Sequence, residues 1–204
     1  YIAHNPSNGT VLASTANIRL QGSWGWKLGR WVAPAGDTNG DGLADFWVTA
    51  PKYTDVSSTR LGAAFLLEGG ATDGTYHVDL ADAAKVYGEQ PNSDFGNRVA
   101  GGGDFNNDGI LDVVISANRF STGSLTRAGR AYVVLGPFTG DIDGAGAEMT
   151  ITGFAGNEQL GSSLVVFPDD GFGSDLNADS FADLGVGSYR SNNLTAPAGN
   201  AGRV

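Results

Sequence analysis

The chain has no cysteine in 204 residues, so it can hold neither a disulfide framework nor a thiolate metal site. Packing or an oxygen-ligated metal must then supply the staples, and a secreted location is not excluded. Histidine is almost as scarce. His4 and His77 are the only two, far apart in sequence and both near turns, so surface positions are expected and a histidine-based active site is not. No G-x-S-x-G elbow occurs. No apolar run is long enough to cross a bilayer as a helix, no signal peptide is evident, and Tyr1 is not an initiator Met. A processed chain, or one cut from something longer, is expected. No stretch carries a convincing helical period. Basic residues are few, 12 against 22 acidic ones, and the formal charge of −10 argues against nucleic acid or an anionic membrane as partner.

Glycine is abundant at 32 residues and proline modest at 7, with no collagen-like period. Such usage fits tight turns between short strands. Apolar residues make up 41%, enough for a core in one large all-β domain or two smaller ones. The acidity has a local source. "DTNGDGLADFWVTAP" begins at Asp37, "DFNNDGILDVVISAN" at Asp104 and "DLNADSFADLGVGSY" at Asp175, spaced 67 and 71 residues apart. Carboxylates this crowded repel one another unless a positive charge sits among them. A hard cation is the candidate, since Ca²⁺ takes six to eight oxygens from such loops. Three bound Ca²⁺ would bring the charge from −10 to −4.

Other features fall into register with the Asp loops. Upstream stand Leu28-Gly29, Phe95-Gly96 and Leu160-Gly161; downstream stand "VTAP" (48–51), "ISAN" (115–118) and "VGSY" (186–189). "LGAAFLLEGG" (61–70) and "AGRAYVVLGP" (128–137) follow, and the third copy carries six extra residues before its loop, around "FPDDGFG" (167–173). "FWVTA" and "DVVISA" are short, apolar and β-branched, which suits strands buried on both faces. A repeat of this length with about four strands predicts an all-β propeller blade. The expected units are 22–87, 88–152 and 153–204, with 1–21 completing a blade.

This pattern resembles the FG-GAP repeats of integrin α-subunit propellers and their bacterial relatives, over the whole chain. Phe95-Gly96 matches the FG element, and Leu-Gly replaces it in the other two copies. Of the GAP elements, Thr49-Ala50-Pro51 is close, whereas Ser116-Ala117-Asn118 and Gly187-Ser188-Tyr189 depart from it. The D-x-N-x-D-G-x-x-D loop is the specific part. The resemblance implies Ca²⁺ loops between the first and second strands of each blade, on one face of the ring. It also implies ligand and partner sites on the opposite face.

In the first loop Asp37, Asn39 and Asp41 alternate as oxygen donors, the Leu43 carbonyl adds another, and Asp45 closes the cage, with Gly42 allowing the sharp turn. The second loop gives the same roles to Asp104, Asn106, Asp108, the Ile110 carbonyl and Asp112. The third gives them to Asp175, Asn177, Asp179, the Phe181 carbonyl and Asp183, but has Ser180 in place of the glycine, so a strained turn or weaker binding is expected. No helices flank the loops and their twelfth position is never Glu, so they are not EF-hands. The alternative is a plain Asx-turn without metal. The ligand set reads as closed, so a structural metal is expected and catalysis is not.

All four tryptophans, Trp24, Trp26, Trp31 and Trp47, fall within 24 residues. Packing between blades is the expected role, with Trp24 as the exception in a turn-rich stretch; a sugar-binding platform is the alternative. "NGT" (8–10) and "NLT" (193–195) match the N-glycosylation pattern, which carries little weight. If the family geometry holds, the ligand face comprises the segments 51–60, 118–127 and 189–200, including Tyr53, Arg119, Phe120, Tyr189 and Arg190. Binding function favours such loops.

The last residues, "NAGRV", and the first, "YIAHNPSNG", read together like "AGRAYVVLGPFTG" in the second copy. Three repeats in circular phase are therefore expected, their ring completed by a second copy or by further repeats. The leading expectation is an extracellular, Ca²⁺-bound, integrin-like module, without catalytic residues, for adhesion, protein binding or surface assembly. A lectin-like propeller and the accessory domain of a secreted hydrolase are the rivals.

Overall fold

A computed structural model describes residues 2, 13, 16–57, 59–78, 84–168 and 176–190. It is all-β, and the strands form repeated sheets that stack face to face, as propeller blades do. The first sheet is an antiparallel meander of β2 (Val32–Gly36), β3 (Asp45–Ala50), β4 (Ala63–Leu67) and β6 (Lys85–Tyr87). The second repeats it with β7 (Phe95–Gly103), β8 (Asp112–Ala117), β9 (Arg130–Val134) and β11 (Met149–Thr152). In the third, β12 (Ser163–Phe167) pairs with β13 (Asp183–Gly187).

Two short strands tie neighbours together in a way the repeat pattern does not announce. Between the third and fourth strands of the second unit, β10 (Asp141–Asp143) crosses over and lies parallel to β6, the fourth strand of the first unit. The same move occurs one repeat earlier, where β5 (Gly74–His77) lies parallel to β1 (Ile18–Gln21). By this correspondence β1 stands as the fourth strand of a preceding unit. Ile2 pairs antiparallel with Ile18 there, as Val133 of β9 pairs with Met149 of β11.

Alternation along each strand explains why a blade is apolar on both faces. All six residues of β8 are buried. Val113, Ile115 and Ala117 pack toward the first sheet with Trp47, Leu66 and Val86, whereas Val114 packs toward the third with Val133, Leu164 and Val186. This is the two-residue period of a pleated strand. The turns before the first strands are clamped by close approach. Gly62 takes φ +78°, and a Cβ there would lie 2.3 Å from the Phe95 carbonyl oxygen; Gly129, at φ +85°, would meet Leu160 at the same distance. The Phe-Gly and Leu-Gly elements are thus the points where one blade rests on a glycine of the blade before it.

The tryptophans divide as expected in part. Trp47 is fully buried between the first two sheets, edge-on to Phe138 at 4.9 Å. Trp26 is buried on the other face of the first sheet with Tyr53 and Phe65. Trp24 is wholly exposed, and Trp31 is partly exposed beneath the Arg98 guanidinium at 4.3 Å. Two residues expected on the ligand face are instead core. Tyr53 packs edge-on to Trp26 at 4.7 Å, and Phe120 lies against Tyr132 with the Arg130 guanidinium 3.7 Å over its ring. Their polar sequence neighbours hid them, because the turns they anchor fold back under the sheets.

Candidate functional site: the Asp loops

Each Asp loop joins the first strand of its unit to the second: 37–44 links β2 to β3, 104–111 links β7 to β8, and 168–182 links β12 to β13. In the first loop the Asp37 carboxylate is aimed inward at the turn. It accepts from the backbone N–H groups of Gly40 (2.8 Å), Asp41 (3.1 Å) and Gly42 (2.8 Å). Asn39 Oδ1 accepts from Asp41 N at 3.0 Å, and Asp41 Oδ1 from Leu43 N at 2.8 Å. The second loop repeats these bonds with Asp104, Asn106 and Asp108; Gly109 N donates to Asp104 at 2.7 Å and Ile110 N to Asp108 at 2.8 Å. The backbone donors hold Asp37 below the usual carboxylate range, that of Gly42 most of all.

The last carboxylate of each loop does something different. Asp45 is almost fully buried; one oxygen accepts from Thr38 N at 2.8 Å and the other from Gly69 N at 2.7 Å. Asp112 copies it with Phe105 N at 2.7 Å and Gly136 N at 2.9 Å. These residues pin the loop to the turn after the third strand. Burial pushes the Asp112 carboxyl up, its backbone donors oppose this, and the nearby charges of Asp104 and Asp108 push it up further. That repulsion is the electrostatic signature of crowded carboxylates.

In the third loop Asp175 lies outside the described residues. Asn177 Oδ1 accepts from Asp179 N, Asp179 Oδ1 from Phe181 N, and Asp183 Oδ2 from Leu176 N. Ser180 adopts φ +68° where Gly42 and Gly109 take +82° and +83°. A side chain is therefore held in the left-handed region that glycine enters freely, which strains the turn.

Among the described residues, no three acidic or imidazole side chains are grouped to hold a metal ion in this arrangement. The donor set nevertheless fits a hard cation. It is all oxygen, it recurs at the same strand junction, and in the second loop the charges of Asp104 and Asp108 add to the upward push on Asp112. The residues that would hold the ion are the three alternating side chains of each loop, with the Leu43, Ile110 and Phe181 carbonyls and the final aspartates Asp45, Asp112 and Asp183.

Residues 95–134, which span the FG element, the second Asp loop and the third strand, match the FG-GAP repeat family. Residues 95–134 form an FG-GAP repeat. Among curated proteins it is similar to phosphatidylinositol-glycan-specific phospholipase D from Homo sapiens, 32% identical over 162 residues, and from Bos taurus, 31% over 162 residues; 78% of this chain and 18% of each relative are covered. The enzyme of the same name from Dictyostelium discoideum is 28% identical over 170 residues, covering 76% of this chain and 17% of the relative. The chain thus spans less than a fifth of the length of the relatives it matches.

Proposed function

We propose that the chain is an extracellular, Ca²⁺-stabilised binding segment of an integrin-like propeller, with the metal structural and no catalytic group of its own. The observation that carries the reading is the threefold recurrence of an oxygen-donor loop at one strand junction, with a buried aspartate pinning the first two loops. Ca²⁺ in the three loops would neutralise the crowded charge and lock each first strand to its second. The opposite ends of the strands then remain for a protein or glycan ligand, in adhesion or surface assembly. Similarity to a stretch of phosphatidylinositol-glycan-specific phospholipases D favours a second reading, that this segment accompanies a hydrolase as an accessory domain.

Chelation tests the metal. Extracellular modules bind Ca²⁺ with Kd of about 10⁻⁴ to 10⁻³ M. At roughly 100 Kd of free ion each such site adds about 2.7 kcal/mol, if the unfolded chain does not bind. The melting temperature is expected to fall clearly in excess EDTA and to recover on adding Ca²⁺. An unchanged melting curve, with metal removal verified, would reject the reading.

A further inference from the structure

The same repeat that places acidic loops at one end of the sheets places cations at the other. Lys52, Arg119 and Arg190 each stand just past the second strand of their unit, with the same 67- and 71-residue spacing as the Asp loops. All three line one cavity of about 660 Å³ that spans the three units. The position before each Phe-Gly or Leu-Gly element also lines it, as Lys27, Asp94 and Gln159, every one in a left-handed turn with φ of 57°, 56° and 57°.

Charge is distributed over this cavity against the trend of the chain. With Arg30 and Arg127 it gathers six of the 12 Lys and Arg residues, but only one of the 22 acidic residues, Asp94. Asp94 is already engaged by Lys52 and, at 3.2 Å, by Arg119. Among the described residues no carboxylate pairs with Lys27, Arg30, Arg127 or Arg190, and residues 191–204 contain no Asp or Glu. Converging cations of this kind repel one another unless an anion lies between them. The wall also offers neutral partners. The buried Asn118 Oδ1 has no hydrogen-bond partner, an arrangement that costs stability unless a donor arrives. Beside it, the exposed Tyr189 ring is held in place by its hydroxyl, which donates to Gln159 Oε1 at 2.8 Å. The volume falls in the range of small-ligand sites.

We propose that this cavity binds a carbohydrate carrying an oxyanion, that is a sulfate, phosphate or carboxylate group on a hydroxyl-rich body. The guanidinium and ammonium groups take the oxyanion, Asn118 Oδ1 accepts a hydrogen bond from a sugar hydroxyl, and the Tyr189 ring covers an apolar sugar face. The inference rests on the loop-face reading above and names its ligand class.

Isothermal titration of the whole chain in Ca²⁺ at low salt tests it, with a sulfated disaccharide, a uronate oligosaccharide, a sugar phosphate, the neutral parent sugar, inorganic sulfate and an acidic hexapeptide as ligands. At least one anionic sugar is expected to bind about tenfold or more tighter than the neutral parent, and to weaken with salt. Lys27→Gln and Arg190→Gln should each weaken it about tenfold, whereas Arg60→Gln, outside the cavity, should not. Melting curves of the variants confirm folding. The comparison among the three sugars identifies the oxyanion. No binding by any anionic sugar, equal binding of the neutral parent, or insensitivity to both cavity variants would overturn the site. Binding of the peptide or inorganic sulfate as tightly as the best sugar would overturn the carbohydrate assignment. Calcium-dependent melting measured in parallel separates the two ideas: Ca²⁺ stabilisation without anion binding rejects this site alone, and anion binding without Ca²⁺ stabilisation rejects the metal reading alone.

Discussion

Within each loop the aspartates divide into two kinds, and mutation should separate them. Asp108 turns toward the loop interior and touches only its own turn. Asp112 is buried, and its oxygens hold two backbone donors from different segments. Asp112→Ala leaves both donors unpaired and is expected to cost about 1–3 kcal/mol even in EDTA, with a further loss in Ca²⁺ because a ligand goes too. Asp108→Ala should cost more in Ca²⁺ than in EDTA, and more than Asp179→Ala, whose loop already holds Ser180 in a strained turn. Urea melts in both buffers check this; an Asp108→Ala loss independent of Ca²⁺ would mean the carboxylate acts through hydrogen bonds. The spacing of donors in these loops was legible in the sequence, because ligands that alternate along a turn must alternate along the chain. The double duty of Asp45 and Asp112 was not, since their partners Gly69 and Gly136 lie 24 residues onward. The recurrence of Lys52, Arg119 and Arg190 was open to the same alignment and is visible once the Asp loops are superimposed, but its meaning needed the cavity.

At the scale of the strand, the meanders follow from short apolar runs between glycine-rich turns. The crossing strands β5 and β10 do not, because "GTYH" and "DID" carry no apolar pattern and gain their place from the edge strands they join. Lys85 on β6 secures one crossing. Its ammonium contacts Asp141 on β10 at 2.9 Å and the Tyr53 hydroxyl at 3.1 Å. Burial, the largest influence, lowers the proton affinity of Lys85, but the bonds to Asp141 and Tyr53 together outweigh it and leave the pKa above its ordinary 10.5. A raised lysine contributes stability that is complete below its unfolded pKa and is lost as pH rises through the folded one. Lys85→Met should therefore melt below the parent at neutral pH, and the gap should close above pH 10.5. Tyr132, whose ionisation burial pushes up, adds to alkaline loss in both proteins and leaves the difference readable. A gap that persists unchanged at high pH would assign the effect of Lys85 to the packing of its stem.

For the molecule as a whole, ring closure decides how the outer faces are covered. Propellers typically have four to eight blades, and three repeats leave end faces without neighbours. The first sheet shows what such a face looks like: a largely apolar cavity of about 860 Å³, lined by Ile18, Leu20, Leu28, Val32, Phe46 and Val48, with Val32 59% exposed. At the far end Phe154, Val165 and Phe181 are exposed on and around the third sheet. Faces covered on both sides in the middle unit are thus only partly covered on the outer ones, and apolar patches of this kind mark interaction sites. The chain is expected to associate in solution, most simply as a two-fold dimer making six blades, or else to be capped by neighbouring repeats in a longer protein. Light scattering in Ca²⁺ reads the first outcome, and a version extended by one flanking blade reads the second. A charged residue in the middle of the open face, Val32→Lys, should shift the dimer toward monomer, whereas Trp24→Lys, at a wholly exposed turn, should not. A monomer that melts sharply and cooperatively, with no partner and no extension, would contradict ring closure and require a different arrangement of these repeats.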